Sequence, residues 1–129
     1  MANPNIVNVT SIYGQSMGEA LTTTLTTDIM TAQSNKLLKI NFIQVTNTSD
    51  TASTDVTVEV TKVAYTSGGI ADAEDNAGTF ALASAVRLEA DGVLVALDKP
   101  IYLMEGDQLE AGANPATADI FVSFEVLDD

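Results

Sequence analysis

Apolar and polar residues alternate with a period of two along most of this chain, the pattern of a pleated strand with one face buried. Val56, Val58 and Val60 alternate with Thr57, Glu59 and Thr61. Val86, Leu88 and Ala90 alternate with Arg87 and Glu89, and Ile120, Val122, Phe124 and Val126 alternate with Phe121, Ser123 and Glu125. Each of these runs predicts a strand. Between Gly18 and Met30, Leu21, Leu25 and Ile29 recur every fourth residue, which suits a helix face or a strand face equally. The residues between them decide. Thr22, Thr23, Thr24, Thr26 and Thr27 are β-branched, lose side-chain freedom in a helix and favour extended backbone, so an edge-like strand is expected.

Two slips interrupt the alternation. Leu38, Ile40 and Phe42 give way to Ile43 and Val45, and Val60 gives way to Val63 and Tyr65. Each slip predicts a β-bulge or a bend that passes a strand between sheets; the alternative is that Phe42 or Val63 is simply exposed. Asp91-Gly92 between two apolar runs predicts a two-residue hairpin, with Ala90 opposite Val93, Leu88 opposite Val95 and Val86 opposite Leu97. That register sends Leu94 and Ala96 outward. After Pro100, Ile101 to Met104 leads through Glu105-Gly106-Asp107 to Leu109 and Ala111. This is either a short loop with Gly106 at positive φ or a corner crossing between sheets, and Gly106 and Asp107 read as turn residues. Residues 47–53 are small and polar, and residues 67–78 carry Gly68, Gly69 and Gly78 with three acids, hence both are surface loops. Eight or nine short strands with turns between them predict an all-β, single-domain β-sandwich of jelly-roll-like form over residues 1–129. Residues 1–13 are read as an extended arm or as the first strand.

Composition narrows the chemistry. A length of 129 residues fits one domain that buries roughly two-thirds of the surface of its unfolded chain. The absence of cysteine and histidine removes thiolate nucleophiles, Fe–S ligation, the usual zinc sets and the commonest general base. A formal charge of −13 opposes binding to phosphate backbones and anionic lipid surfaces, so neither a nucleic-acid nor a membrane partner is expected. No basic start followed by a long apolar run marks a secretory signal, and no stretch reaches the length of a membrane span, so a protein made and kept in a soluble compartment, unless it leaves by lysis, is the expectation.

Candidate sites are few. Asp72, Glu74, Asp75 and Asn76 share a glycine-flanked loop, as oxygen ligands for calcium would. The glycine falls one place late at Gly78 and no glutamate stands at the twelfth position, so a solvated acidic loop is preferred. Carboxylate pairs for sugar hydrolysis lack an aromatic platform, serines lack a histidine to activate them, and no glycine-rich phosphate loop occurs. No enzyme activity, cofactor or metal is expected. Asn8-Val9-Thr10 and Asn47-Thr48-Ser49 match the glycosylation pattern but carry no weight without secretion. The positive signal is apolar residues on the side of strands away from the core: Leu37, Leu94, Tyr102 and Phe121, together with Ile6, Val7, Val9 and Ile12 in residues 2–13. These predict contact with another subunit, with the N-terminal stretch as an added strand along a neighbour.

Several runs carry a family resemblance. Ile12-Tyr13-Gly14, Asn35-Lys36-Leu37-Leu38-Lys39-Ile40-Asn41 and Thr54-Asp55-Val56-Thr57-Val58 are three of them. The fullest is Leu97-Asp98-Lys99-Pro100-Ile101-Tyr102-Leu103 followed by Glu105-Gly106-Asp107-Gln108-Leu109. Together they resemble small virion structural proteins of tailed, often marine, bacteriophages. The similarity is scattered over most of the chain and consists of strand and turn patterns; residues 66–78 are longer than the family's usual connection. The resemblance implies a β-sandwich on the outer surface of a virion, as a capsid decoration (cement) protein or a tail or neck component. It implies the major capsid protein or other virion proteins as partners and transfers no catalytic residue. A homo-oligomer, with a trimer around a local threefold as the guess, is expected. The rival readings are a tail-fibre module that binds a receptor or glycan through residues 67–78, and an exported filament subunit, which the missing signal sequence disfavours.

Overall fold

The alternating valines, isoleucines and threonines form nine strands in the computed structural model, which describes residues 11–64 and 77–128. In chain order they are β1 (Ser11–Ala20), β2 (Thr27–Thr31), β3 (Lys36–Asn47), β4 (Thr54–Lys62) and β5 (Gly78–Leu88). They continue as β6 (Val93–Leu97), β7 (Ile101–Leu103), β8 (Gln108–Asn114) and β9 (Ala118–Asp128). One antiparallel sheet has the order β1-β9-β3-β6, with β7 also paired to β3; the other has the order β2-β8-β4-β5. The chain is therefore an all-β sandwich, as the alternation predicts. Ile40, Ile43, Val45, Ile120 and Val122 from the first sheet share one buried cluster with Val56, Val58, Leu109, Ala111 and Ala113 from the second. Burying each of the larger side chains contributes about 1.5–3 kcal/mol, which makes this inter-sheet layer the principal source of stability.

The strand expected across Gly18 to Met30 is instead two strands separated by residues 21–26. Thr27 Oγ1 donates to the Thr24 carbonyl at 2.8 Å, and the Thr24 amide donates to Thr22 Oγ1 at 3.3 Å. These local bonds replace a ladder, and the β-branched preference loses to them. The segment passes from one sheet to the other, with Leu21 bonded through its amide to the Ala118 carbonyl and Thr22 accepting from the Ala113 amide, each at 2.9 Å. It crosses over Gly112, where a Cβ atom would sit 2.6 Å from the Thr24 carbonyl oxygen and from Leu25 Cα.

The first slip is a bulge between Ile40 and Phe42, which turns Phe42 to the outer face opposite Ser123 while Ile43 returns to the core. Both readings of that slip hold: the strand bulges and Phe42 is partly exposed. At the second, β4 stops at Lys62, and Tyr65 lies outside the described residues. The Asp91-Gly92 hairpin does not form, because β5 and β6 belong to different sheets. The turn is set one residue earlier: the Gly92 amide donates to the Glu89 carbonyl at 2.9 Å, and Asp91, at φ 61°, is its third residue. This shift inverts the phase of β6. Leu94, Ala96 and Leu97 pack against the core, whereas Val93 and Val95 point outward.

The passage from β7 to β8 is the corner alternative, with Gly106 at φ 90°. Asp107 is fully buried there and forms an ion pair with Lys62. It also accepts 2.9 Å hydrogen bonds from the Val63 and Met104 amides. At the opposite end of the sandwich, Asn47 is buried and its side chain donates to the carbonyls of Ala52, Leu88 and Glu89. Its Oδ1 accepts from the Ser49 amide and the Thr117 hydroxyl. The sequon asparagine is thus a structural tie between three loops.

Candidate functional site

Strand register lays out the outer face of the larger sheet in rows. Gly18 of β1, Phe121 of β9, Gln44 of β3 and Val95 of β6 form one row, and Ala20, Asp119, Thr46 and Val93 form the next. In the other direction come Ser16, Ser123 and Phe42, and then Gly14, Glu125, Lys39 and Tyr102. Among the described residues, five of the eight exposed large hydrophobic side chains lie here: Ile12, Val93, Val95, Tyr102 and Phe121, from 43% exposed at Tyr102 to 62% at Ile12. The other three, Tyr13, Leu25 and Phe80, lie off this face, so the concentration is specific to it. Exposed apolar residues gathered on one surface are a pattern that interaction surfaces share.

Small residues shape the face as much as large ones. Gly18 leaves room for the Phe121 ring, whose Cδ1 would stand 3.3 Å from a Cβ at that position. Beside the ring lies a shallow, open depression of about 520 Å³, lined among others by Gly18, Thr46, Thr48, Asp119 and Phe121. Its floor is backbone and short side chains. Lys39 and Glu125 pair across β3 and β9 at 3.5 Å, next to Tyr102, while Asp119 is exposed in the Val93 row. Over the whole molecule, Lys36, Lys39, Lys62 and Arg87, four of the five basic residues, form ion pairs with the chain's own acids.

Of the residues singled out from the sequence, Ile12, Tyr102 and Phe121 are exposed on this face. Leu37 shares the face but is only 5% exposed, opposite Leu127, which is 6% exposed; the two stand outside the main core cluster. Leu37 is therefore withdrawn as a contact residue. Leu94 is likewise withdrawn, because its side chain packs on the core for the reason given above. Ile6, Val7 and Val9, and the acidic loop at Asp72, Glu74, Asp75 and Asn76, lie outside the described residues. Val93, Val95 and Phe42 were missed. Val93-Leu94-Val95-Ala96-Leu97 is apolar at every position, so either phase fits, and only the sheet change between β5 and β6 selects one. The signal for Phe42 was the slip itself, which marks an apolar residue thrown to the outer face.

Among the described residues, no group of three or more Asp or Glu side chains is placed to hold a metal ion. No family model, curated protein or solved structure matches the chain.

Proposed function

We propose that the chain is a non-enzymatic virion structural protein of a tailed bacteriophage, a decoration protein that attaches to the outer surface of the capsid and bridges copies of the major capsid protein. The observation that carries this reading is the outer face of β1-β9-β3-β6, where Ile12, Val93, Val95, Tyr102 and Phe121 are exposed together. The resemblance of the sequence to small phage virion proteins points the same way. The strand order adds support: β1-β9-β3-β6 and β2-β8-β4-β5, with β7 also on β3, is an order expected of a two-Greek-key jelly roll, the form this reading gives the sandwich. That architecture recurs in capsid domains, although fold analogy alone assigns no function.

The physical mechanism is additive adhesion. A decoration subunit performs no reaction; repeated modest contacts between neighbouring shell units add up and oppose the outward pressure of packaged DNA. The apolar patch supplies area removed from water, and the Lys39 and Glu125 charges beside Tyr102 are paired with each other. The excess negative charge of −13 keeps the subunit away from the genome and keeps particles apart.

The test is stoichiometry on purified particles. The chain is expected in a fixed ratio to the major capsid protein, and a handful of copies per particle assigns it to the tail or neck instead. A Val93→Thr, Val95→Thr, Phe121→Ser triple variant is expected to fold with little loss of stability, since exposed substitutions usually fall within about 0.5 kcal/mol each. It is expected to lose attachment to stripped particles, measured by co-sedimentation. Undiminished attachment places the contact elsewhere.

A further inference from the structure

The two sheets have four edges, and three of them are blunted. The β6/β7 edge is broken by Asp98, Lys99 and Pro100 and carries a register shift against β3. The β2 edge is five residues long with a shift between Asp28 and Met30. The β5 edge contains two shifts against β4 and a positive φ at Ala85. Breaks, bulges and prolines of this kind are how proteins prevent strand-to-strand association. The fourth edge has none of them. β1 pairs with β9 over ten consecutive residues without a shift, contains no proline, and bears a single charge at Glu19. Among the described residues, no strand lies on its other side. Residues 12–16 are all exposed.

We infer that β1 is a self-association edge, on which β1 of a second copy of this chain adds in antiparallel register about Gln15 to make one continuous sheet. An extended backbone is the only structure that satisfies a row of unpaired amides and carbonyls at strand spacing. The side chains point to a second copy. In this register Ile12 falls opposite Gly18 of the other copy, beside the Phe121 ring that lies over that glycine. Two of the exposed hydrophobic residues of the molecule thereby cover each other, twice over. Tyr13 falls opposite Met17 on the other face of the sheet. Charge permits it as well: a chain of −13 repels its own copies, yet Ser11 to Gly18 carries no charge, and Glu19 meets Ser11 across the pair. The twofold stands perpendicular to the sheet, so both outer faces, with Val93, Val95 and Phe121, look the same way. The pair closes at two copies and replaces the threefold guessed from sequence.

This inference deepens the homo-oligomer expectation but does not depend on the virion reading. Light scattering on the full chain is expected to give twice the mass of one chain. Gln15→Lys and Gln15→Glu each place like charges across the axis, and each is expected to be monomeric with an unchanged circular dichroism melt, because Gln15 is exposed. Mixing the two in equal amounts is expected to restore the dimer as a heterodimer, visible by native mass spectrometry. A monomeric wild-type chain overturns the proposal, including the case in which β1 instead takes up a strand from a different protein. So does a Q15K variant that stays dimeric, or a mixture that stays monomeric. A dimer that attaches to no particle leaves the pairing standing and removes the virion reading.

Discussion

Asp107 concentrates several restraints in one carboxylate. Itself fully buried, it holds the Met104 and Val63 amides and the Lys62 ammonium, and so ties the end of β4 to the corner between β7 and β8. Its main chain adds a third attachment: the Asp107 carbonyl accepts from the Ala32 amide at 3.0 Å, and the Gly106 amide donates to the Ala32 carbonyl at 2.9 Å. Asp107→Ala takes the carboxylate from the part-buried Val63 and Met104 amides and from the Lys62 ammonium, and the expected loss is about 2–4 kcal/mol, read as a fall in the urea midpoint. Asn47 plays the corresponding part at the other end, with five side-chain bonds to three loops. Asn47→Ala is expected to cost about 2–3 kcal/mol in the same measurement. Neither residue was legible as a tie from sequence. Asp107 read correctly as a turn residue, but a turn and a buried anchor have the same local spelling, and only the partners at Lys62 and Val63 distinguish them.

At the level of the strand, period-two alternation was enough wherever one phase was apolar and the other polar, as in Val56-Thr57-Val58-Glu59-Val60 and in Ile120 to Val126, both of which face the core as read. It failed where both phases were apolar, in β6, and where threonine side chains competed for the backbone, in residues 21–26. The exposed apolar face was half legible for the same reason: Ile12, Tyr102 and Phe121 stand out in the sequence, whereas Val93 and Val95 are hidden in a uniform run. Register also exposes a row of like charges. Asp28, Glu110 and Glu59 are successive cross-strand neighbours on β2, β8 and β4. Glu110 is buried and accepts from the Thr61 hydroxyl, while Glu59 is partly exposed. Glu59→Lys is expected to raise stability by about 0.5–1 kcal/mol, measured as a rise in melting temperature. Gly112→Ala tests the loop crossing above it. With 2.6 Å to the Thr24 oxygen and Leu25 Cα there is no space for a methyl group, and a loss of about 1–3 kcal/mol is expected, with faster amide exchange at the Ala113 amide that Thr22 holds.

The whole molecule carries eighteen acids against five bases, four of the bases being paired within the chain. Self-repulsion of the remaining carboxylates opposes the folded state, and salt screens it. The melting temperature is therefore expected to climb by several degrees between about 10 mM and 0.5 M sodium chloride, and a flat profile would show that the surplus charge is too dispersed to matter. One feature of the topology reaches beyond the finished structure. β9 sits between β1 and β3, and the Lys36–Asp128 pair at its end joins residues 92 positions apart. The keystone of the larger sheet is thus the last of the nine strands to leave the ribosome, and until it arrives β1 and β3 have nothing between them. Folding waits for translation to pass β9, and refolding is expected on the millisecond-to-second scale of non-local β proteins. A message cut short before that strand leaves the larger sheet without its centre, and the product is expected to be unfolded chain open to proteolysis.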